Sequence, residues 1–193
     1  MSRISNHLSS TQINILGAAT ILLSILLPTP LSILSANAVQ MGNKQTLFHH
    51  APQLIRAAAT HNTPNTPSTY QFTIEVPEDA GSPLKAVTIT QQPNVEDIDF
   101  DVSNSQAFMG TSIAKGESIS IANIGGDVPT DVSEVTIEFE KPIAPGNTVT
   151  IALSVNRNPQ FGGIYQFSVT AFPLDETSPG LYLGQGRIQL MSN

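Results

Sequence analysis

The sequence predicts an all-β chain: a single antiparallel β-sandwich, immunoglobulin-like or Greek-key in its connections, preceded by a signal peptide. Three observations carry that expectation. The first is the stretch from Asn147 to Pro173. Here Val149, Ile151, Leu153 and Val155 alternate with Thr148, Thr150, Ala152 and Ser154; after a loop over 157–163, Tyr165, Phe167, Val169 and Ala171 alternate with Gln166, Ser168 and Thr170. A period of two turns one set of side chains to a core and the other to water. The second is the recurrence of such runs between Pro, Gly, Asn and Asp clusters, about eight or nine strands at sandwich spacing, with no convincing helical period beyond the N-terminal segment. The third is that N-terminal segment itself.

Arg3 is the only formal charge before Lys44, an apolar run extends from Ile15 to Leu27, and Ala36-Asn37-Ala38 is a small-x-small triplet. A positive start, a short apolar core and such a triplet describe a secretory signal. A membrane span needs about 20 uninterrupted apolar residues, whereas Pro28 and Pro30 interrupt this run. Residues 1–38 are therefore expected to be a signal peptide, cut after Ala38. Membrane contact is expected only through this segment, if it stays uncleaved. The chain has no cysteine, which excludes a lipid-attached N-terminus and thiol chemistry alike.

The mature region divides into an N-terminal segment and linker over 39–69 and a sandwich over 70–191. Residues 54–60 are expected to form an edge strand, and 61–69, with Pro64 and Pro67, a connection. Tyr70, Phe72, Ile74 and Val76 form the inward set of the next strand, which Pro77 ends. Val87 and Ile89 mark a strand over 84–91. Ile98, Phe100 and Val102 alternate with Asp97, Asp99 and Asp101, and 108–111 is irregular. Ile119, Ile121 and Ile124 mark one further strand. Val135, Ile137 and Phe139 face inward, with Glu134, Thr136, Glu138 and Glu140 outward. Ala144-Pro145-Gly146-Asn147 has type II turn chemistry: Pro presets the second position and Gly supplies a positive φ at the third. Residues 181–191 form the last strand, where Gly184 and Gly186 allow a bulge or a close neighbour.

The region after residue 38 carries all 15 Asp and Glu of the chain against every cation but Arg3. An acidic domain is ill suited to nucleic acid or anionic lipid, so no nucleic-acid partner is expected. Charged residues are only 12% of the chain, about half the usual share, and the surface is built largely from Ser, Thr, Asn and Gln.

No catalytic constellation emerges. Asp97, Asp99 and Asp101 are the metal candidates, since hard cations want several carboxylate oxygens. On a strand, however, such carboxylates stand roughly 7 Å apart, and Val102 occupies the position where a helix–loop–helix calcium loop needs Gly. An acidic outer strand face is the preferred reading, unless Asn104 and Ser105 fold back to help. Glu134, Glu138 and Glu140 resemble the strand-borne carboxylates of sandwich glycosidases, which need a pair about 5–9 Å apart; Thr136 stands where a carboxylate is wanted, and there is no Trp to carry a sugar. His49, His50 and His61 all precede the first confident strand, and Gly162-Gly163 is turn chemistry. The candidate binding residues are Arg157, Asn158 and Phe161 of the loop inside the 147–173 stretch. Phe161 is expected to fold over the open end of the sandwich as a plug, in preference to standing exposed as an anchor. No cofactor is expected.

One set of motifs runs through the whole domain: Tyr70-x-Phe72-Thr73-Ile74-x-Val76-Pro77, Ala80-Gly81-x-Pro83-Leu84, Phe108-x-Gly110-Thr111, Arg157-Asn158-Pro159, Gly162-Gly163-Ile164-Tyr165-x-Phe167 and Gly180-x-Tyr182-Leu183-Gly184-x-Gly186-Arg187. Over about residues 54 to 190 these resemble an uncharacterised family of exported cyanobacterial proteins known as a domain of unknown function. The resemblance implies export, a compact β domain and a cyanobacterial source. It brings no activity and no catalytic residue. The expected function is an exported, non-enzymatic binding or structural module in the periplasm or at the cell surface, with an envelope protein or polysaccharide as partner. The alternatives are an enzyme acting on envelope polysaccharide and a Ca-stabilised adhesin-like domain.

Overall fold

The computed structural model describes residues 47–125, 133–175 and 178–192. The expected signal peptide over 1–38 lies outside these residues. Among the described residues the chain forms ten strands: β1 (Gln53–Ala59), β2 (Ser68–Glu75), β3 (Leu84–Gln91), β4 (Phe100–Met109), β5 (Ser118–Ile119), β6 (Ile121–Gly125), β7 (Glu134–Ile143), β8 (Thr148–Val155), β9 (Gly163–Pro173) and β10 (Leu181–Leu190). They make two antiparallel five-stranded sheets, ordered β1-β2-β8-β4-β5 and β10-β9-β3-β7-β6. The architecture is an immunoglobulin-like sandwich.

The period-two pattern explains the core. Tyr70, Phe72 and Ile74 of β2, Val149, Ile151 and Leu153 of β8, Ile137 and Phe139 of β7, and Phe167 and Val169 of β9 are all fully buried. Phe167 sits at the centre, with the rings of Phe72 and Tyr70 edge-on at 5.4 and 5.8 Å, the geometry aromatic quadrupoles prefer. Gly146 has φ 82°, as the type II turn between β7 and β8 requires, and the Val76 backbone bonds to both Gly146 and Asn147 at 2.8 Å.

Along one long side the sheet edges β1 and β10 meet. Gly186 makes this possible: a Cβ there would lie 2.7 Å from Ala57 Cβ. Gly184, at φ 117°, lies where β10 slips register between Tyr182 and Gly184. Both strand glycines therefore do what their positions suggest, one a bulge and one a close approach.

The two strands of residues 147–173 are joined by a loop, as expected, and lie in different sheets, β8 in the first and β9 in the second, so residues 156–162 arch between sheets. Two features depart from the sequence expectation. The single strand expected around Ile119–Ile124 is two, because the chain changes sheets at Ser120. Finally, β4 begins at Phe100 and runs through Phe108 and Met109. Asp97 and Asp99 thus precede it in the 92–99 connection. The buried–exposed alternation of Asp97 to Phe100 holds there without a ladder.

Candidate functional site

Three connections, 60–67, 92–99 and 156–162, gather at one end of the sandwich. Asn158 pins two of them. Its Nδ2 donates to the carbonyls of His61 and Thr63, each at 2.9 Å, and its Oδ1 accepts from the Tyr70 hydroxyl at 2.9 Å. Its backbone bonds with Thr66 and Asn65. Asn158 is fully buried, so the sequence's candidate binding residue is turned inward, every side-chain hydrogen-bonding atom in use. Burial, with the neighbouring Tyr165, pushes the Tyr70 phenol far above its ordinary range.

Glu96 ties the third connection to the second. One carboxylate oxygen meets Arg157 Nη2 at 3.3 Å and the other accepts from the Gln160 backbone at 2.7 Å. Arg157 also donates to Asn65 Oδ1 at 3.0 Å. Its guanidinium is mostly exposed, so the pair contributes little by itself; it orients the loop.

Phe161 does not plug the sandwich. It is 54% exposed, and its carbonyl accepts from Tyr165 Oη at 2.9 Å. Ile98 of the 92–99 connection enters the core instead and is 1% exposed. Gln91 fixes it there, its Oε1 accepting from Ile98 N at 2.8 Å and its Nε2 donating to the Glu96 carbonyl at 2.9 Å. The residue of this end that is buried is thus an aliphatic one already within the inward alternation, while Phe161 is left largely outside.

Ile164, three residues on from Phe161, and Val95 and Met191 are also exposed. Asn94 Nδ2 reaches the Ile164 carbonyl at 2.9 Å, which ties the segment carrying Val95 to the start of β9. Gly162 packs so closely on the Met191 backbone that it has no room for a Cβ. The result is an apolar tip on a hydrogen-bonded base.

The outer face of the first sheet carries a groove. Cross-strand register sets Thr69, Ser154 and Asp101 in one row and Ala152 and Gln106 in the next. Between Asp101 and Gln106 the β4 register slips, and residues 102–105 bulge out as a wall. Asn104 and Ser105 do fold back, but onto Asp101 and Ser154. Ser103 Oγ and Asn104 Nδ2 donate to the Asp101 carboxylate at 2.6 and 2.7 Å, and Ser154 Oγ donates to the Asn104 carbonyl at 2.9 Å. These bonds, Ser103 first, hold the Asp101 carboxyl below the usual carboxylate range. Two adjoining hollows of about 350 and 250 Å³ share Thr69, Asn104 and Ser154.

The other candidates are dispersed. Among the described residues no three acidic or histidine side chains come together as a metal site. Glu134 accepts from Thr90 at 3.0 Å and Glu138 pairs with Lys85 at 2.9 Å. His50 pairs with Asp79. The groove is the feature that sequence reasoning missed. Its one local sign is Ser103-Asn104-Ser105-Gln106, four polar residues that break the alternation between Val102 and Ala107.

A family model described as Protein of unknown function (DUF2808) matches residues 45–190. No curated protein matches the chain. Among solved structures, an uncharacterized immunoglobulin-like protein from Nocardia farcinica is 12% identical with a TM-score of 0.45, covering 71% of this chain and 97% of that one. The collagen-binding subdomain of the Enterococcus faecalis surface protein ACE is 7% identical with a TM-score of 0.44, over 71% and 94%. A collagen-binding domain from a Staphylococcus aureus adhesin is 12% identical with a TM-score of 0.37, over 66% and 89%. These likenesses extend to the fold alone.

Proposed function

The chain belongs to the DUF2808 family, and for this member we propose an exported, non-enzymatic binding module of the cell envelope that engages an envelope protein through its loop end. The observation that carries this reading is the exposed apolar tip of Phe161, Val95, Ile164 and Met191. An aromatic anchor flanked by aliphatic side chains is the composition of an interface hot spot, and exposed apolar patches commonly mark interaction sites. The base beneath it is fixed by Asn158 and Glu96, so little ordering is required on binding. Apolar anchors favour a protein over a polysaccharide, and the acidic net charge disfavours nucleic acid.

The test is co-sedimentation of the purified chain with isolated envelope fractions from the native host. Wild type is expected to pellet with the envelope. Phe161→Ser and Val95→Ser are expected to abolish pelleting while leaving the unfolding midpoint unchanged. Equal pelleting of the variants, or no pelleting of wild type, overturns the proposal.

A further inference from the structure

We propose that the groove on the outer face of the first sheet is a second site, one that takes an uncharged oligosaccharide, with Asp101, Gln106, Asn156 and Thr69 as its hydrogen-bonding groups and Phe108 as its apolar floor. The groove lies apart from the Phe161 tip and does not depend on it.

Geometry comes first. β8 is central, paired with β2 on one side and β4 on the other, and where the β4 ladder slips its Ser154 N–H is taken by Ser105 Oγ, so a ligand lying across it meets chiefly side chains. An extended peptide would bring its own row of N–H and C=O groups to a face with no backbone to receive them; strand addition happens at edges. A ligand read by side chains alone fits better.

Charge comes next. Among the described residues, Asp101 and His61 are the only titratable side chains lining the two hollows, and no Lys, Arg or Glu does so. A polyanion finds no cation there. A cationic segment finds one carboxylate, already committed to Ser103 and Asn104. An uncharged partner is what remains.

Hydrogen-bonding capacity then specifies which uncharged partner. The side-chain amides of Gln106 and Asn156 and the hydroxyl of Thr69 make no hydrogen bond with the described residues. The Asp101 carboxylate has about four acceptor positions, of which Ser103 Oγ, Asn104 Nδ2 and Asn104 N occupy three. The groove therefore offers amides that donate and accept, a hydroxyl and a spare carboxylate lone pair. Vicinal sugar hydroxyls, each donor and acceptor, complement that set. Phe108, Ile113 and Ala152 line the inner hollow and present carbon to the C–H face of a pyranose, giving the mixture of apolar wall and few polar groups typical of ligand sites. The wall that makes the groove concave is the β4 bulge, and bulges of this kind recur beside functional sites.

The experiment uses the full-length chain with four probes: cellohexaose, mannohexaose, a β-1,3-linked glucohexaose and, as the anionic comparator, hexagalacturonate. Saturation-transfer NMR detects contact and calorimetry gives affinity. At least one neutral hexaose is expected to bind, with transfer strongest to its ring C–H protons, and hexagalacturonate is not. Gln106→Ala and Asn156→Ala are each expected to weaken binding by about tenfold or more at an unchanged melting temperature. Phe161→Ser is expected to leave sugar binding intact, which separates this site from the tip. Absence of binding by all three neutral hexaoses at millimolar concentration overturns the proposal. So does preference for hexagalacturonate, and so does wild-type affinity in both amide variants.

Discussion

Replacing Asn158 by Ala tests whether the loop end is a rigid platform. The substitution removes the acceptor of the Tyr70 hydroxyl, 2.9 Å away, and the donor to the His61 and Thr63 carbonyls. Tyr70 is fully buried, so its hydroxyl is left without a partner, at about 1–3 kcal/mol. The two carbonyls lie partly buried and lose bonds of about 1 kcal/mol each. The expected loss is about 3–5 kcal/mol, large against the 5–15 kcal/mol typical of a whole domain. Urea unfolding followed by circular dichroism reads it as a midpoint lowered by about 1 M or more at ordinary m-values. Tyr70→Phe supplies the second edge of a double-mutant cycle. Once Asn158 is gone, removing the orphaned hydroxyl relieves its desolvation, so the double variant is expected to be more stable than the sum of singles by about 1 kcal/mol. A loss below about 0.5 kcal/mol for Asn158→Ala, the range of ordinary surface changes, or an additive cycle, refutes the reasoning.

Other predictions concern the core, the closed side, alkaline pH and the N-terminus. Phe167→Ala removes the ring that Tyr70, Phe72 and Phe100 surround and is expected to lower stability by about 3–5 kcal/mol in denaturant unfolding. Gly186→Ala sets a methyl 2.7 Å from Ala57 Cβ and is expected to destabilise by about 1–3 kcal/mol; adding Ala57→Gly is expected to recover part of that loss in thermal melts. Tyr70 and Tyr165 are both raised above the ordinary Tyr value of 10.0, chiefly by burial. Above about pH 10 the unfolded chain loses these protons while the folded chain keeps them, so stability falls with rising pH, by up to about 1.4 kcal/mol per unit for each group. Urea midpoints are expected to be flat from pH 8 to about 9.5 and to decline beyond it, with a shallower decline in Tyr70→Phe. Intact-mass measurement of the protein from its native host is expected to give a chain beginning at Val39; a mass that retains Ile15–Leu27 refutes cleavage.

The fold was legible wherever its cause was local. Alternation put Tyr70, Phe72, Ile74 and Val76 inside because a strand on a core can face only one way, and a register error would have reversed all four. Pro145-Gly146 fixed a turn by backbone sterics. What was not legible was which strands pair. The alternation of β8 and β9 is the same for a hairpin and for an arch between sheets. The choice is made by non-local partners: β2 and β4 flank β8, while β3 and β10 flank β9. The Phe161 plug failed for a related reason. Ile98 is in the core and Phe161 stands outside it. Ile98 enters already aligned with Phe100, its backbone caught by Gln91, whereas Phe161 sits where Glu96 holds the chain at Gln160.

The groove was hidden because a bulge is a disagreement between two strands and cannot be seen in one. Ser103, Asn104 and Ser105 are ordinary surface residues until Ser154 of β8 donates its backbone N–H to Ser105 Oγ and its hydroxyl to the Asn104 carbonyl. Those bonds also change what Asp101 is for. Read alone, three aspartates at alternate positions can suggest a cation; with its donors in place, Asp101 is an oriented acceptor whose negative charge is stabilised by hydrogen bonds. From that row the chain runs through Asn156, which lines the groove, to the buried Asn158 and on to the exposed Phe161. The groove and the tip therefore share one anchored segment, and the same buried amide that keeps the tip rigid fixes the end of the groove.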